Sequence, residues 1–254
     1  MATPPHEPPA PDALASSDPS AIRDRPSHAR LWLVAAIGLV ADLASKYWAF
    51  AHLPADRGEG PEPLIHLQRS LNTGAVFGIG AGMAPLFVGA SVLALAFVLY
   101  LFAHSTSRRR SLHVALGLIL AGALGNLYDR TFHVADAVWA GPHSGWRRIF
   151  GEKVVGTPGV LLQETPGYWV FGAYPDGDGA RRLIPRRPGW HLNPCPVVRD
   201  FIKINLRFGR TEIWPWIFNL ADAMLVVGVG LLLLNFHWDR RAHRAATTRS
   251  SSDD

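Results

Sequence analysis

Trp214-Pro215-Trp216-Ile217-Phe218-Asn219-Leu220-Ala221-Asp222 opens an apolar run that continues to Phe236. A bilayer core about 30 Å thick is crossed by about 20 residues at 1.5 Å rise each, and this run is long enough. Hydrocarbon offers the backbone no hydrogen bonds, so such a segment must satisfy its own amides, and a helix does so. The paired tryptophans mark an interface. If the run is helical from Trp214, Asp222 lies about 12 Å along it, with Asn219 one turn earlier. A carboxylate at that depth is expensive and is read first as functional.

Three further stretches share this character: Leu31 to Phe50, Ala84 to Ala103 and Leu112 to Tyr128. The first is interrupted by Asp42 and Lys46, and the third is short and rich in glycine, so each alone would also suit a buried helix of a soluble domain. Hydrophobic residues make up 48% of the 254 residues and charged residues 18%, below the quarter or so usual in soluble proteins. Four spans are therefore expected, with three spans and one helix lying elsewhere as the alternative. A cleaved leader is the competing reading of the first run. Its preceding residues and its two ionisable groups favour a retained anchor. Residues 1–30 are rich in proline, serine and alanine without apolar periodicity, which predicts a disordered tail.

Arg23, Arg25 and Arg30 precede the first run, Arg108, Arg109 and Arg110 separate the second and third, and Arg240, Arg241, Arg244 and Arg249 follow the fourth. In a four-span chain these clusters fall on one side, which the positive-inside rule assigns to the cytoplasm, together with both termini. The net charge of +5 is thus explained by topology, and no nucleic-acid partner is expected.

The two outer segments differ in size. Residues 51–83 contain Leu64-Ile65-His66-Leu67, a candidate strand. Residues 131–213 hold runs such as Lys153-Val154-Val155 and Tyr168-Trp169-Val170-Phe171, divided by the turn signals Thr157-Pro158-Gly159, Thr165-Pro166-Gly167 and Asp176-Gly177-Asp178-Gly179. They predict a small β-rich appendage, or else a loop lying on the membrane. The single cysteine, Cys195, has no internal partner and reads as a small buried residue.

Asp42 and Lys46 are four apart, on one helix face, and read as a structural ion pair, with Lys46 near enough to the outer interface to snorkel. Asn126, Asp129 and Arg130 end the third run. As a pattern they suit a helix cap with a lipid-facing arginine as well as a site. Asp200, in Val197-Val198-Arg199-Asp200-Phe201-Ile202, lies on a return toward the membrane shortly before the fourth run. Two carboxylates brought together share one proton, the arrangement by which an aspartic protease activates water with one member and polarises a carbonyl with the other. The chain has no His-Glu-x-x-His motif and no Gly-x-Ser-x-Gly elbow. His104, His113, His133, His191 and His237 sit near segment ends and read as interfacial. Neither a metal nor a cofactor is expected.

Five boxes in order carry a resemblance. Asp42-Leu43-Ala44-Ser45-Lys46, Asn72-Thr73-Gly74-Ala75-Val76-Phe77-Gly78, Gly122-Ala123-Leu124-Gly125-Asn126-Leu127-Tyr128-Asp129-Arg130, Asp200-Phe201-Ile202 and Phe218-Asn219-Leu220-Ala221-Asp222 resemble those of the bacterial lipoprotein signal peptidases, or signal peptidase II. The resemblance implies an all-α membrane protein of four transmembrane helices with short outer β elements. It implies an aspartic endopeptidase of the bacterial inner membrane, acting at the outer leaflet on diacylglyceryl-modified prolipoproteins, on the amino side of the lipidated cysteine. Asp200 and Asp222 would be catalytic, and Asn72, Gly74, Asn126, Asp129, Arg130 and Asn219 would bind substrate or support the carboxylates. Prolipoproteins and membrane lipids are the partners it implies, and a monomer is expected.

One departure is large. In the family the first catalytic aspartate follows the Asp-Arg pair within about ten residues, whereas Asp200 comes 71 residues after Asp129. Residues 137–196 are read as an outer insertion, between core segments 31–136 and 197–236, with 237–254 as a second cytoplasmic tail. Asp136 is the competing first carboxylate. Asp200 is preferred for its Asp-Phe-Ile box and its short link to the fourth run. A catalytically inactive relative and a small transporter or scaffold are the rival functions, although no internal repeat of the transporter kind is visible.

Overall fold

The computed structural model describes residues 19–55, 63–74, 84–141, 153–209 and 211–250, the side chains of 84–85 and 242–250 excepted. Four helices in it are long and apolar enough to cross a membrane: α1 (Arg25–His52), α2 (Ala84–Ala103), α3 (Arg110–Phe132) and α4 (Leu220–Ser250), the last through its Leu220–Arg241 portion. Large apolar side chains such as Leu33, Ile37, Leu93, Phe97, Val226 and Leu233 point outward. That inversion of the usual soluble pattern is what a lipid solvent requires.

The third run, ambiguous as a sequence, is the enclosed centre of the bundle, with Ala115, Leu116, Leu120 and Ala121 buried. Its glycines set the approach of α4 and α1. A Cβ at Gly122 would collide with the Ala221 carbonyl, and one at Gly125 with the Asp42 carboxylate. Small residues that let backbones touch are the usual device of membrane helix packing.

Two segments behave differently from expectation. α1 starts at Arg25, inside the stretch read as a disordered tail, because Asp24 caps it by accepting from Ser27 N at 3.0 Å and Pro26 suits the first turn. The residues just before are tied to the α2–α3 turn, with Ala21 N donating to Ser105 O at 3.0 Å and Ser107 N to Pro19 O at 2.9 Å. At the other end of the chain, α4 begins at Leu220 rather than Trp214 and runs on through residues 237–250. Pro215 has no amide to give, and Ile217–Phe218 forms a short strand instead.

All strands lie between α1 and α2 or between α3 and α4, hence at one end of the bundle. β1 (Ile65–Asn72), β7 (Val198–Ile204) and β10 (Ile217–Phe218) form an antiparallel sheet in the order β1-β7-β10. The expected strand near Leu64 is β1, but it extends to Asn72 and pairs Ser70 with Asp200. β2 (Val134–Ala140), β3 (Lys153–Glu164), β4 (Tyr168–Ala173), β5 (Asp178–Pro185) and β6 (Trp190–Pro196) form a second sheet, ordered β5-β4-β3-β2-β6. β8 (Arg207–Phe208) and β9 (Thr211–Glu212) make a small hairpin. The β-rich appendage is thus an ordered sheet with its own core of Val138, Trp169, Phe171 and Ile184.

Thr157-Pro158-Gly159 is no turn. β3 continues through it, pairing with β2 up to Val155 and again at Gly159 and with β4 from Val160 on, and the β2 ladder slips its register there. A proline is tolerated where the ladder is interrupted. The sheet begins three residues earlier than the expected boundary, at Val134, which pairs with Pro196.

Candidate active site

α4 starts with a capping box. Asn219 Oδ1 accepts from Asp222 N at 3.0 Å, while Asp222 Oδ2 accepts from Asn219 N at 3.3 Å. A reciprocal pair at these spacings satisfies amides that a helix start leaves free. Asp222 therefore stands in the first turn of α4, not two turns inside it as a helix from Trp214 would have placed it. The next free amide, Ala221 N, donates to Asp42 Oδ1 at 2.8 Å, which brings α1 to the same point.

Asn219 spends its remaining donor group on two neighbours. Its Nδ2 reaches Asp200 Oδ1 at 2.7 Å and Asn126 Oδ1 at 3.1 Å. Asn126 Nδ2 in turn donates to Asp222 Oδ1 at 2.8 Å. Asn72, at the end of β1, donates to Asp200 Oδ2 at 3.1 Å and accepts from Gly74 N at 2.9 Å. Thus Asp200 and Asp222 share Asn219 as a common partner, and every side chain named as bonding to either is a neutral amide.

Asp200 is 2% exposed. Burial, and after it the charge of Asp222, hold its carboxyl well above the usual range, while the bonds from Asn219 and Asn72 pull the other way. A cleft of about 250 Å³, bordered by Asn72, Thr73, Asp200, Pro215, Trp216 and Ile217, opens beside it. One poised carboxyl, a second on a helix N-terminus and an adjoining cleft are the parts that acid–base attack by water needs.

A second tier of charge lies alongside. Lys46 Nζ meets Asp42 Oδ2 at 2.8 Å, Asp129 Oδ2 at 3.4 Å and Asn126 Oδ1 at 3.2 Å, with Asp42, Lys46 and Asp129 all fully buried. Lys46 does not snorkel; two carboxylates and an amide inside the bundle are better partners than a distant interface. Asp129 is also gripped by Arg199, through the backbone N at 2.9 Å, Nε at 3.2 Å and Nη2 at 2.7 Å. Arg199 was missed in the sequence. The available signal is a cation between Val198 and Asp200 in an otherwise apolar strand, which demands a buried partner. Arg130 turns inward too: Nη2 donates to Gly74 O at 2.7 Å and the guanidinium covers the Phe87 ring at 4.8 Å.

Asp136 is elsewhere. It sits in β2 of the five-stranded sheet, where Oδ2 accepts from Leu161 N at 2.9 Å. Cys195 is buried in the same sheet, its thiol pushed up to about 12 by burial and then by Asp136. His113 is buried at the opposite end of the bundle, 3.0 Å from Ser105 Oγ, rather than interfacial. His133 Nδ1 lies 2.8 Å from the Tyr174 hydroxyl, and burial pushes its imidazole below the usual histidine range. Residues 75–78 of the Asn72–Gly78 box and the ends of both tails, 1–18 and 251–254, lie outside the described residues. Among the described residues no group of three or more His, Cys, Asp or Glu could hold a metal ion.

The profile of signal peptidase (SPase) II matches residues 34–238, which includes α2, α3, both sheets and parts of α1 and α4. A lipoprotein signal peptidase of Sinorhizobium fredii is 37% identical over 115 residues, 45% of this chain and 68% of the relative. One of Yersinia pestis is 33% identical over 109 residues, 41% of this chain and 64% of the relative. The fold is similar to that of a solved bacterial membrane enzyme, with a TM-score of 0.51 at 22% identity, covering 82% of this chain and 87% of the other. A multi-pass bacterial membrane protein with this match over most of its length belongs to the signal peptidase II family, the aspartic-type hydrolases that remove prolipoprotein signal peptides.

Proposed function

We propose that Asp200 and Asp222 are the catalytic pair, and that they cut the peptide bond on the amino side of a diacylglyceryl-modified cysteine. The observation that carries this reading is the sharing of Asn219 between two carboxylates whose other bonds come from amides and backbone. Asp200 holds the proton of the resting pair, since burial disfavours its charge, while Asp222 stands where backbone N–H groups and the helix dipole favour an anion. Asp222 takes a proton from the attacking water, and Asp200 donates its own toward the scissile carbonyl oxygen. Collapse of the tetrahedral intermediate returns a proton to the leaving amine and restores the pair.

Asn72, Asn126 and Asn219 orient the carboxylates, and Arg130 with the Gly74 carbonyl forms the wall against which substrate lies. Asp129, with Asp42 and Lys46, supports from behind. The arginine clusters support a topology with both termini in the cytoplasm and the pair at the outer leaflet, facing lipid-modified prolipoproteins and membrane lipids. Residues 137–196 are then an outer insertion carried by a monomeric enzyme that needs no nucleic acid or cofactor.

The test is cleavage of a lipid-modified prolipoprotein in liposomes. Asp200→Asn and Asp222→Asn should each lower turnover by about 10²- to 10⁴-fold while the protein stays folded. Asp136→Asn should leave it near the parent level, and a chelator should change nothing. Full activity in either of the first two variants sinks the reading, and loss in Asp136→Asn alone moves the first carboxylate.

A further inference from the structure

A strand turns successive side chains to opposite faces, so on β7 Asp200 borders the cleft while its neighbours Arg199 and Phe201 turn the other way. What packs behind them sets where Asp200 stands. Part of that backing comes from the five-stranded sheet. Tyr174, the first residue after β4, joins two clusters of buried side chains, one containing Phe50 and Phe201 and the other containing Val197. Its ring meets Phe50 edge-on, with centroids 6.2 Å apart.

The hydroxyl adds direction to this packing. It stands 2.8 Å from His133 Nδ1, and His133 Nε2 lies 3.9 Å from Asp129 Oδ1. A carboxylate on that side favours the tautomer with its proton on Nε2, which leaves Nδ1 to accept from the phenol. The His133 carbonyl accepts from Val197 N at 3.0 Å, and Asp129 Oδ2 accepts from Arg199 N at 2.9 Å. His133 and Asp129 thus hold the backbone that leads into Asp200, and Tyr174 bonds to the first of them. Tyr174 is itself tied to β1: Arg69 donates through Nη1 to Tyr174 O at 3.3 Å and through Nη2 to Asp178 Oδ2 at 2.7 Å. An apolar side chain would dock the sheet as well, but it would not fix the rotation of the His133 ring.

We propose that Tyr174 is a positioning residue for the cutting reaction: by seating the back of β7, through its ring and through His133, it holds Asp200 in place opposite Asp222. The inference rests on those two being the cutting pair. It gives the five-stranded sheet a part in the rate with no contact to substrate. A misplacement of about 1 Å at a reacting group can cost about 100-fold in rate, so even a modest loosening of β7 is visible in kcat.

The test uses a lipid-modified peptide that stops directly after the cysteine, which leaves no mature stretch to touch the sheet. Tyr174→Phe keeps the ring and loses the hydroxyl; kcat should fall about two- to fivefold with KM unchanged, the worth of a neutral hydrogen bond. Tyr174→Leu loses the ring too and should lower kcat about tenfold or more, again with KM unchanged. Adding Tyr174→Phe to His133→Ala should lower kcat no further than His133→Ala alone, because the hydroxyl acts through that ring. Ile184→Val loosens the same sheet in its own core, and should lower Tm while kcat stays at the parent level. A parental kcat in Tyr174→Phe overturns the proposal, as does a loss that falls on KM, full additivity with His133→Ala, or an equal fall in Ile184→Val; Tyr174 then only docks the sheet. Since Tyr174→Phe conserves the ring, its result stands even where Tyr174→Leu does not fold. Retained activity of Asp222→Asn would instead overturn the catalytic reading, so the two failures are distinct.

Discussion

Four carboxylates, three of them buried and Asp222 half-buried, meet where α1, α3, α4 and β7 converge, and they are treated in two ways. Asp42 and Asp129 have cations: Lys46 touches both, and Arg199 closes on Asp129 from three directions. Asp200 and Asp222 bond to Asn72, Asn126 and Asn219 instead. A carboxylate beside a cation is committed to an ion pair. One beside amides can hold or release a proton, because an amide bonds to either form. The first pair ties helices and strand together, and the second is the pair proposed to do the chemistry.

The sharpest way to break this contrast is to remove the shared cation. Lys46→Met leaves Asp42 without its ion-pair partner and should cost about 3–5 kcal/mol of stability, seen as a large fall in Tm in detergent. Arg199→Met is milder, since Lys46 still faces Asp129, and should cost about 1.5–3 kcal/mol. It should also lower kcat more than it raises KM, because Arg199 adjoins Asp200 and ties β7 to α3.

Asp200→Asn should do the opposite to stability. The native carboxyl is raised above its unfolded value near 3.9, so between those two values the native state binds more protons than the unfolded chain, and the parent loses stability as pH rises. The variant lacks this slope and should melt higher than the parent near neutral pH; a lower Tm would place Asp200 with the structural pair. The smallest effect concerns the same group. Activity of the parent should fall as pH rises through the raised value of the pair, and Asn72→Ala, which removes a bond that holds that value down, should move this alkaline limb to higher pH. A limb that stays put means that Asn72 does not act on Asp200.

The membrane helices were legible because the bilayer imposes length and apolarity on each one separately. Asp222 was legible for the same reason, although its depth was overstated: Pro215 and the β10 pairing delay the helix, and its start is set by Asn219. The charged tier was half legible. Asp42 and Lys46 are helix neighbours, but the grip of Arg199 on Asp129 joins residues 70 positions apart, and no local pattern reports such a contact. The turn expected at Thr157-Pro158-Gly159 failed because a strand between two partners can absorb a proline where its ladder is already broken.

The neck of the five-stranded sheet bears on how such an enzyme can change. Val134 pairs with Pro196, and Val197 N donates to His133 O at 3.0 Å, so the chain leaves and returns at one place before β7 begins. Because departure and return coincide, residues can be gained or lost there without changing the path from α3 into β7. The neck is a graft point: an ancestor with a short turn and a descendant with a sheet could share one cutting centre. It is also where another folded module could be spliced in.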